Sequence, residues 1–477
     1  MVHPRKQDTP SHEKELPGAE VGELVHAVQD PADFAAAVRI ASRPVVLEEE
    51  YVPDGGMGAW TVLLGSTSAL FASAGMINSY GTFQDYYEST LLPSSASATI
   101  SLIGSLQVFL LYGAGPITGR IFDAYGTKVL VPVGSFLSVL GVMMLSLAQK
   151  DQVYQVFLSQ GICLGLGIAI LFNPCVAVMS HWFRRKRALA MGIALSGGAL
   201  SGVLYPIILQ RLIPSIGFPW AVRVIGFINL TCLSVACLTV RSRLPLSPGY
   251  ISWRSAVDLR GFKDPRYVLA TTAGFLLFYV LFIPYFYIQI YANFRQVPPN
   301  ISNVLVSILN ALNIPSRILP GLLADRYGCL AVFIPITAFA TISVFALWLP
   351  SHTPGTIIAF TALYGLFSVI HRASHSPRAF VSLLAAYIAS ITPREVYGAR
   401  LGSVYIFVAI STLAGAPTGG ALLATVDETH FRTLIIFSGV LLAGGTLALC
   451  GAASVPEGAR WKRLRSAQSS QHAPGSA

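Results

Sequence analysis

The sequence predicts an all-α membrane protein with twelve transmembrane helices in two pseudo-symmetric six-helix bundles. Three observations carry that reading. Hydrophobic residues make up 53% of the 477 and charged residues 11%. A soluble domain is nearer 25% charged, so much of this surface must face lipid. Apolar runs follow one another from Gly58 to Ala453, each about 20 residues long, what a helix needs to cross about 30 Å of hydrocarbon. Finally, a charged glycine turn occurs twice. "GRIFDAYGTK" at Gly119–Lys128 returns as "GLLADRYGCL" at Gly321–Leu330, with Gly119, Asp123, Tyr125 and Gly126 matching Gly321, Asp325, Tyr327 and Gly328 at an offset of 202.

In chain order, residues 1–57 read as a disordered cytosolic tail, with ten acidic residues in the first fifty and no apolar segment of a cleavable signal. The first bundle, 58–240, holds runs at 59–80, 98–118, 129–147, 153–180, 188–209 and 220–240. A polar stretch, 241–266, reads as a cytosolic central loop. The second bundle, 267–453, holds runs at 267–291, 301–323, 330–350, 355–392, 399–425 and 433–453, and 454–477 is a second cytosolic tail. The runs are Gly-rich and lack strict alternation, so helices fit better than barrel strands. With the N-terminus inside, the short inner loops and C-terminal segment carry 19 Lys and Arg and the outer loops four, which places both termini in the cytosol. The net charge of +10 is therefore topology and implies no nucleic-acid partner. Arg184–Arg187 anchor a loop at anionic lipid.

The tenth run is broken by His371, Arg372, His375 and Arg378. An insertion near 370–378 is favoured over a lid or re-entrant segment, and over a metal pair at His371 and His375, which lacks a third ligand. The six cysteines show no metal or disulfide spacing. No nucleophile–base set, nucleotide loop or cofactor motif appears, so the chain is read as no enzyme and as needing no cofactor.

The repeated turn suggests a transporter built from related halves. Gly119 and Gly126 permit a tight turn and close helix approach, and Asp123 can pair with Arg120 or Lys128 or face a helix N-terminus. Asp325 and Arg326 are the second copy. Such a latch holds one conformation and releases in another.

"GRIFDAYGTK" resembles the conserved cytosolic loop of the major facilitator superfamily. "DGGMGAW" at Asp54–Trp60 and "FRRKRALAMGIALSGG" at Phe183–Gly198 resemble motifs of its monocarboxylate-porter family, fungal branch, with Met57 where Trp is usual. The resemblance covers about 54–455. It implies the major facilitator fold, alternating access, and a small-molecule organic acid substrate.

Arg317 is the deep cation of run eight, about 12 Å of helix rise from Asp325, and a guanidinium there can hold a carboxylate by two bonds. Animal relatives carry an Asp four residues before this Arg and a Lys in helix one. Here those positions hold Asn313 and Asn78. Asn carries no proton, so an anion site stands without that relay, and a coupling proton stays open. Asn173 beside Pro174 is a second polar break. Tyr80, Tyr205, Tyr279, Phe282 and Tyr285 offer aromatic walls, and Pro206, Pro284, Pro315 and "GAPTGG" at Gly415–Gly420 mark kinks. The last lies in helix eleven; helix five lacks it, which weighs against a drug–proton antiporter. Arg223, beside Trp220, is expected to snorkel outward. The function expected is secondary transport of an organic acid or acidic secondary metabolite across the cell membrane, with export of a secondary metabolite one direction the sequence leaves open. Monocarboxylate import, or nutrient sensing on the same scaffold, are the alternatives.

Overall fold

The structure is a computed structural model that describes residues 55–183, 186–243, 258–314, 329–367, 384, 387–388, 390–392, 397–423 and 425–455. Among the described residues all regular structure is helical. α1 (Met57–Asn78) passes directly into α2 (Tyr80–Tyr86), which widens into a π turn ending at Leu91. α3 (Ser97–Gly113) and α4 (Gly115–Tyr125) form one path bent by 43°. Pro116 sits in the first turn of α4, where its missing N–H costs no helical bond. α5 (Thr127–Leu145), α6 (Val153–Ala177) and α7 (Arg187–Thr239) follow. The second series is α8 (Pro265–Leu281), α9 (Ile283–Phe294), α10 (305–314), α11 (Cys329–Ser343), α12 (Pro354–Phe367), α13 (Tyr397–Leu422) and α14 (Glu428–Ser454).

α7 is two passes. Its 53 residues would measure about 80 Å if straight, far beyond the hydrocarbon. Gly217 breaks it at φ +79°, a conformation that glycine adopts without a Cβ penalty. A Cβ on Gly197 would strike Thr67, and one on Gly65 would strike Thr239. Residues 197 and 239 thus flank the same part of α1, so the chain doubles back at Gly217.

Eight helices among the described residues are long and apolar enough to cross a membrane, or nine when the bent α3–α4 path counts as one more. Among the described residues each of the twelve apolar runs lies on a helix. The helices of runs eight and ten are followed to residues 314 and 367. Outward faces carry large apolar side chains such as Phe136, Leu238 and Leu447, each at least 67% exposed. Water would oppose that surface and lipid accepts it. Since lipid tails are as apolar as Leu, helices gain by close packing and polar bonds between them. Gln107 of α3 donates to the Gln160 carbonyl of α6 at 2.8 Å, and Gln160 Oε1 accepts from Tyr87 at 2.5 Å. α1 packs on both arms of α7, α5 on α6, α8 on α13 and α14, and α3 along α13. The expected break at 370–378 lies outside the described residues, as do the tails and most of the central loop.

Candidate functional site

The first and second helix series meet along a seam. Its centre is an asparagine of α10. The Asn310 amide lies 3.0 Å from the Asn78 carbonyl at the end of α1, 3.2 Å from the Gly202 carbonyl in α7 and 2.9 Å from the Val306 carbonyl, and donates into all three. Asn78 in turn donates to the Gly198 carbonyl at 2.9 Å. One turn further along α10, Asn313 donates to the Tyr285 hydroxyl at 2.9 Å. Amides can bind here because the neighbouring backbones come close. Gly202 has no Cβ to block Asn310, and a Cβ on Gly81 would collide with the Tyr285 carbonyl oxygen.

From there the seam runs to the end remote from Met57 and Ser454, the outer end. Ser307 donates to the Val203 carbonyl at 3.0 Å, Gln210 to the Asn303 carbonyl, and Thr82 to Gln289 at 3.3 Å. Tyr80 packs on Phe286 with ring centres 4.7 Å apart. Asp85, beyond the apolar span of α1, accepts from Gln289 at 3.0 Å and from Asn293 at 2.9 Å, both on α9. Glu88, one turn on, accepts from Gln84 and from Ser97 at the start of α3, at 2.9 and 2.6 Å. Burial pushes both carboxyls above their ordinary values, and the amide and hydroxyl donors offset only part of that. α3 and α13 stay in contact along their length: a Cβ on Gly420 would meet the Ala98 backbone, and further in Tyr112 lies 5.8 Å from Tyr405. Among the described residues the two series are in contact at the outer end.

The structure gathers some of the expected site residues and separates others. Asn78, Asn313 and Tyr285 lie on the seam. Tyr80 borders it but donates its hydroxyl to the Ile100 carbonyl at 2.5 Å, and Tyr205 is turned to Asn229 at 2.5 Å. Tyr279 bonds to Thr418 at 2.8 Å within the second series. Asn173 donates to Thr118 at 3.1 Å, beside Gly115. Arg317 and Pro315 lie outside the described residues. Arg223 bonds to Ser146 at 3.2 Å and stacks over Trp220 at 4.8 Å. Asn310, Asp85 and Gln289 went unnoticed in the sequence. The available signals were an Asn one helical turn before Asn313 and a carboxylate directly beyond an apolar run. Among the described residues a cavity of about 290 Å³ opens away from the seam, bordered by Arg295, His352, Glu428 and Arg432, with Arg295 and Glu428 paired at 3.2 Å.

At the inner end, Gly126 makes the charged turn at φ +66° and donates to the Phe122 carbonyl at 2.7 Å. Thr127, just after it, accepts from the Ser242 N–H at 3.1 Å, tying the turn to the end of α7. Lys128 is exposed, and Arg120 is held by neighbours. The space a Cβ on Gly119 would enter is open, so the close approach expected there is not made in this conformation. The Asp123 side chain, Asp325 and Arg326 lie outside what is described. In the second series, Asp258 pairs with Arg400 at 3.2 Å and its backbone N–H donates to the Ser403 hydroxyl at 3.0 Å. Both side chains of that pair are under 20% exposed.

Sequence comparison matches residues 55–374 to the Major Facilitator Superfamily model. The Fujikurins efflux protein of Gibberella fujikuroi is 36% identical over 444 residues, which is 93% of this chain and 92% of that protein. The Aspyridones efflux protein of Emericella nidulans is 36% identical over 413 residues, 86% of this chain and 80% of its own. Among solved structures, the nucleoside transporter NupG superposes at a TM-score of 0.63, covering 82% of this chain and 99% of that one at 14% identity. So low an identity speaks to the fold alone.

Proposed function

The chain belongs to the Major Facilitator Superfamily, and from that premise we propose that it exports an acidic secondary metabolite by alternating access. That it is a multi-pass membrane transporter follows from the family. The finer reading is ours: bundles 58–240 and 267–453 rock about a central site, Arg317 holds the substrate carboxylate, and the turn at Gly119–Lys128 latches the inner end. The cell membrane is its place, with both termini cytosolic.

The observation that carries the reading is the amide seam. Asn78, Asn310 and Asn313 put polar groups of both helix series in one buried zone, with the series in contact at the outer end. A polar zone in a membrane bundle marks a substrate path, and closure on one side is what alternating access needs. Export rather than import is supported by the efflux names of two relatives matched over most of their length.

The test is flux in proteoliposomes of known orientation. One arm uses labelled lactate, the other a labelled bulky aromatic acid such as naphthoate. The bulky acid is expected to move and lactate to lag. Movement of lactate alone would favour the importer, and movement of neither would remove the acid reading.

A further inference from the structure

Asp85 stands apart from the other described charges. It projects from α2, in the first helix series, and both its hydrogen bonds go to α9, in the second. The carboxyl therefore crosses the seam at its outer end, with Thr82 and Gln289 bonded one turn further in. Its donors are neutral amides. Among the described residues the charged and titratable groups around it are Glu88 and Tyr86 on its own stretch and Arg295 on α9. Glu88 repels it, and Arg295 is turned to Glu428 and Tyr291. The start of α3 offers only hydroxyls, Ser97 among them. Among the described residues no cation faces the carboxylate, so closing the seam leaves it half-buried with two amide bonds in return.

We propose that Asp85 is a proton-binding site that governs the outer gate, so that acid on the outer side favours closure. This rests on the alternating-access reading above and adds its regulation. In the open gate Asp85 meets water and behaves as an ordinary solvated carboxylate. In the closed gate burial raises its pKa. The closed state thus binds the proton more tightly, and by linkage a falling pH favours closure. The effect spans the interval between the two values. It saturates once the open-gate carboxylate is itself protonated, and it changes the closed-to-open ratio by at most about tenfold per pH unit, the limit for one proton. The proton comes from outer water to an Asp85 oxygen and returns to outer water on reopening. None crosses the membrane, so it supplies no driving force. For an exporter, outer acid speeds the return of the emptied carrier to its inward-facing form.

The experiment places nitroxide labels at Ser89→Cys and Asn300→Cys, both exposed at the outer end on opposite sides of the seam, in the full chain with its six native cysteines changed to serine. Double electron–electron resonance in liposomes from pH 4.5 to 8, without substrate, reads the closed fraction. The short-distance population is expected to grow as pH falls, Asp85→Asn to abolish the titration, and Asp85→Glu to keep it. If Asp85→Asn titrates like the parent, or the parent opens as pH falls, the proposal is overturned. Should Asp85→Asn not insert, Asn293→Ala serves. It removes a bond that favours the charged form, so the midpoint must rise, and an unmoved midpoint overturns the proposal. A parent that titrates but moves neither test acid loses the metabolite reading only. One that exports but does not titrate loses this proposal only.

Discussion

Gly81→Ala separates the seam from the rest of the protein. Gly81 lies in α2, and a Cβ there would run into the backbone carbonyl oxygen of Tyr285 on α9. A carbonyl in a helix cannot swing aside as a side chain can, so the two helices must part. Overpacking of this kind costs about 1–3 kcal/mol. The cost falls on the closed state alone, because the open state separates those helices. Alanine's helix advantage over glycine is present in both states and cancels. The closed-to-open ratio should therefore fall by about 5- to 150-fold. The label pair at residues 89 and 300 reads that ratio directly, as growth of the long-distance population. Gly202→Ala, whose Cβ would lie 2.7 Å from the Asn310 amide, should act in the same direction with a smaller effect, since a side chain can yield. A Gly81→Ala protein that inserts normally and keeps the parent's distance distribution would refute the assignment of this contact to the gate.

Three further outcomes are expected. Asp123→Asn should cut transport strongly with insertion intact, because the inner turn biases an equilibrium that a few kcal/mol moves far; unchanged flux would remove the latch. Arg317→Ala should abolish transport of the acid, costing about 3–5 kcal/mol where the buried anion is left alone, and Arg317→Lys should rescue poorly because an ammonium lacks the planar fork; initial rates in proteoliposomes decide both. Arg400→Met should lower the apparent Tm in detergent, since it strands Asp258, whose charge-assisted bond is worth about 2 kcal/mol; an unchanged Tm would make the 3.2 Å pair energetically idle.

How far the sequence reveals this protein depends on the range of the interaction. Membrane-crossing runs are local, set by some twenty consecutive side chains, and the described part of each of the twelve lies on a helix. The turn at Gly126 was legible for the same reason: a glycine between two helical runs marks a positive-φ position, and it is found at +66°. Close approach is not local. Nothing around Gly81 marks it as facing a carbonyl two hundred residues away, while Gly119, singled out for close approach, faces open space here. Asn78 and Asn313 are reached through the family resemblance, which fixes positions across the fold. Tyr205 reads as an aromatic wall, but its hydroxyl is spent on Asn229. Asp85 escaped because a carboxylate just past an apolar run looks like a solvated loop charge; only α9 beside it half-buries that position.

Asn310 has a consequence that concerns water. Its amide has two protons and three carbonyl neighbours, from α1, α7 and α10 itself, and its own oxygen is buried without a hydrogen-bond partner among the described residues. When the outer end opens, the Asn78 and Gly202 carbonyls lose this donor in a place where lipid can supply none. Water must replace it, entering as the helices part and leaving as they close. Each turn of the carrier is then also a small hydration cycle. An osmolyte too large to enter the seam should draw that water out and hold the carrier shut.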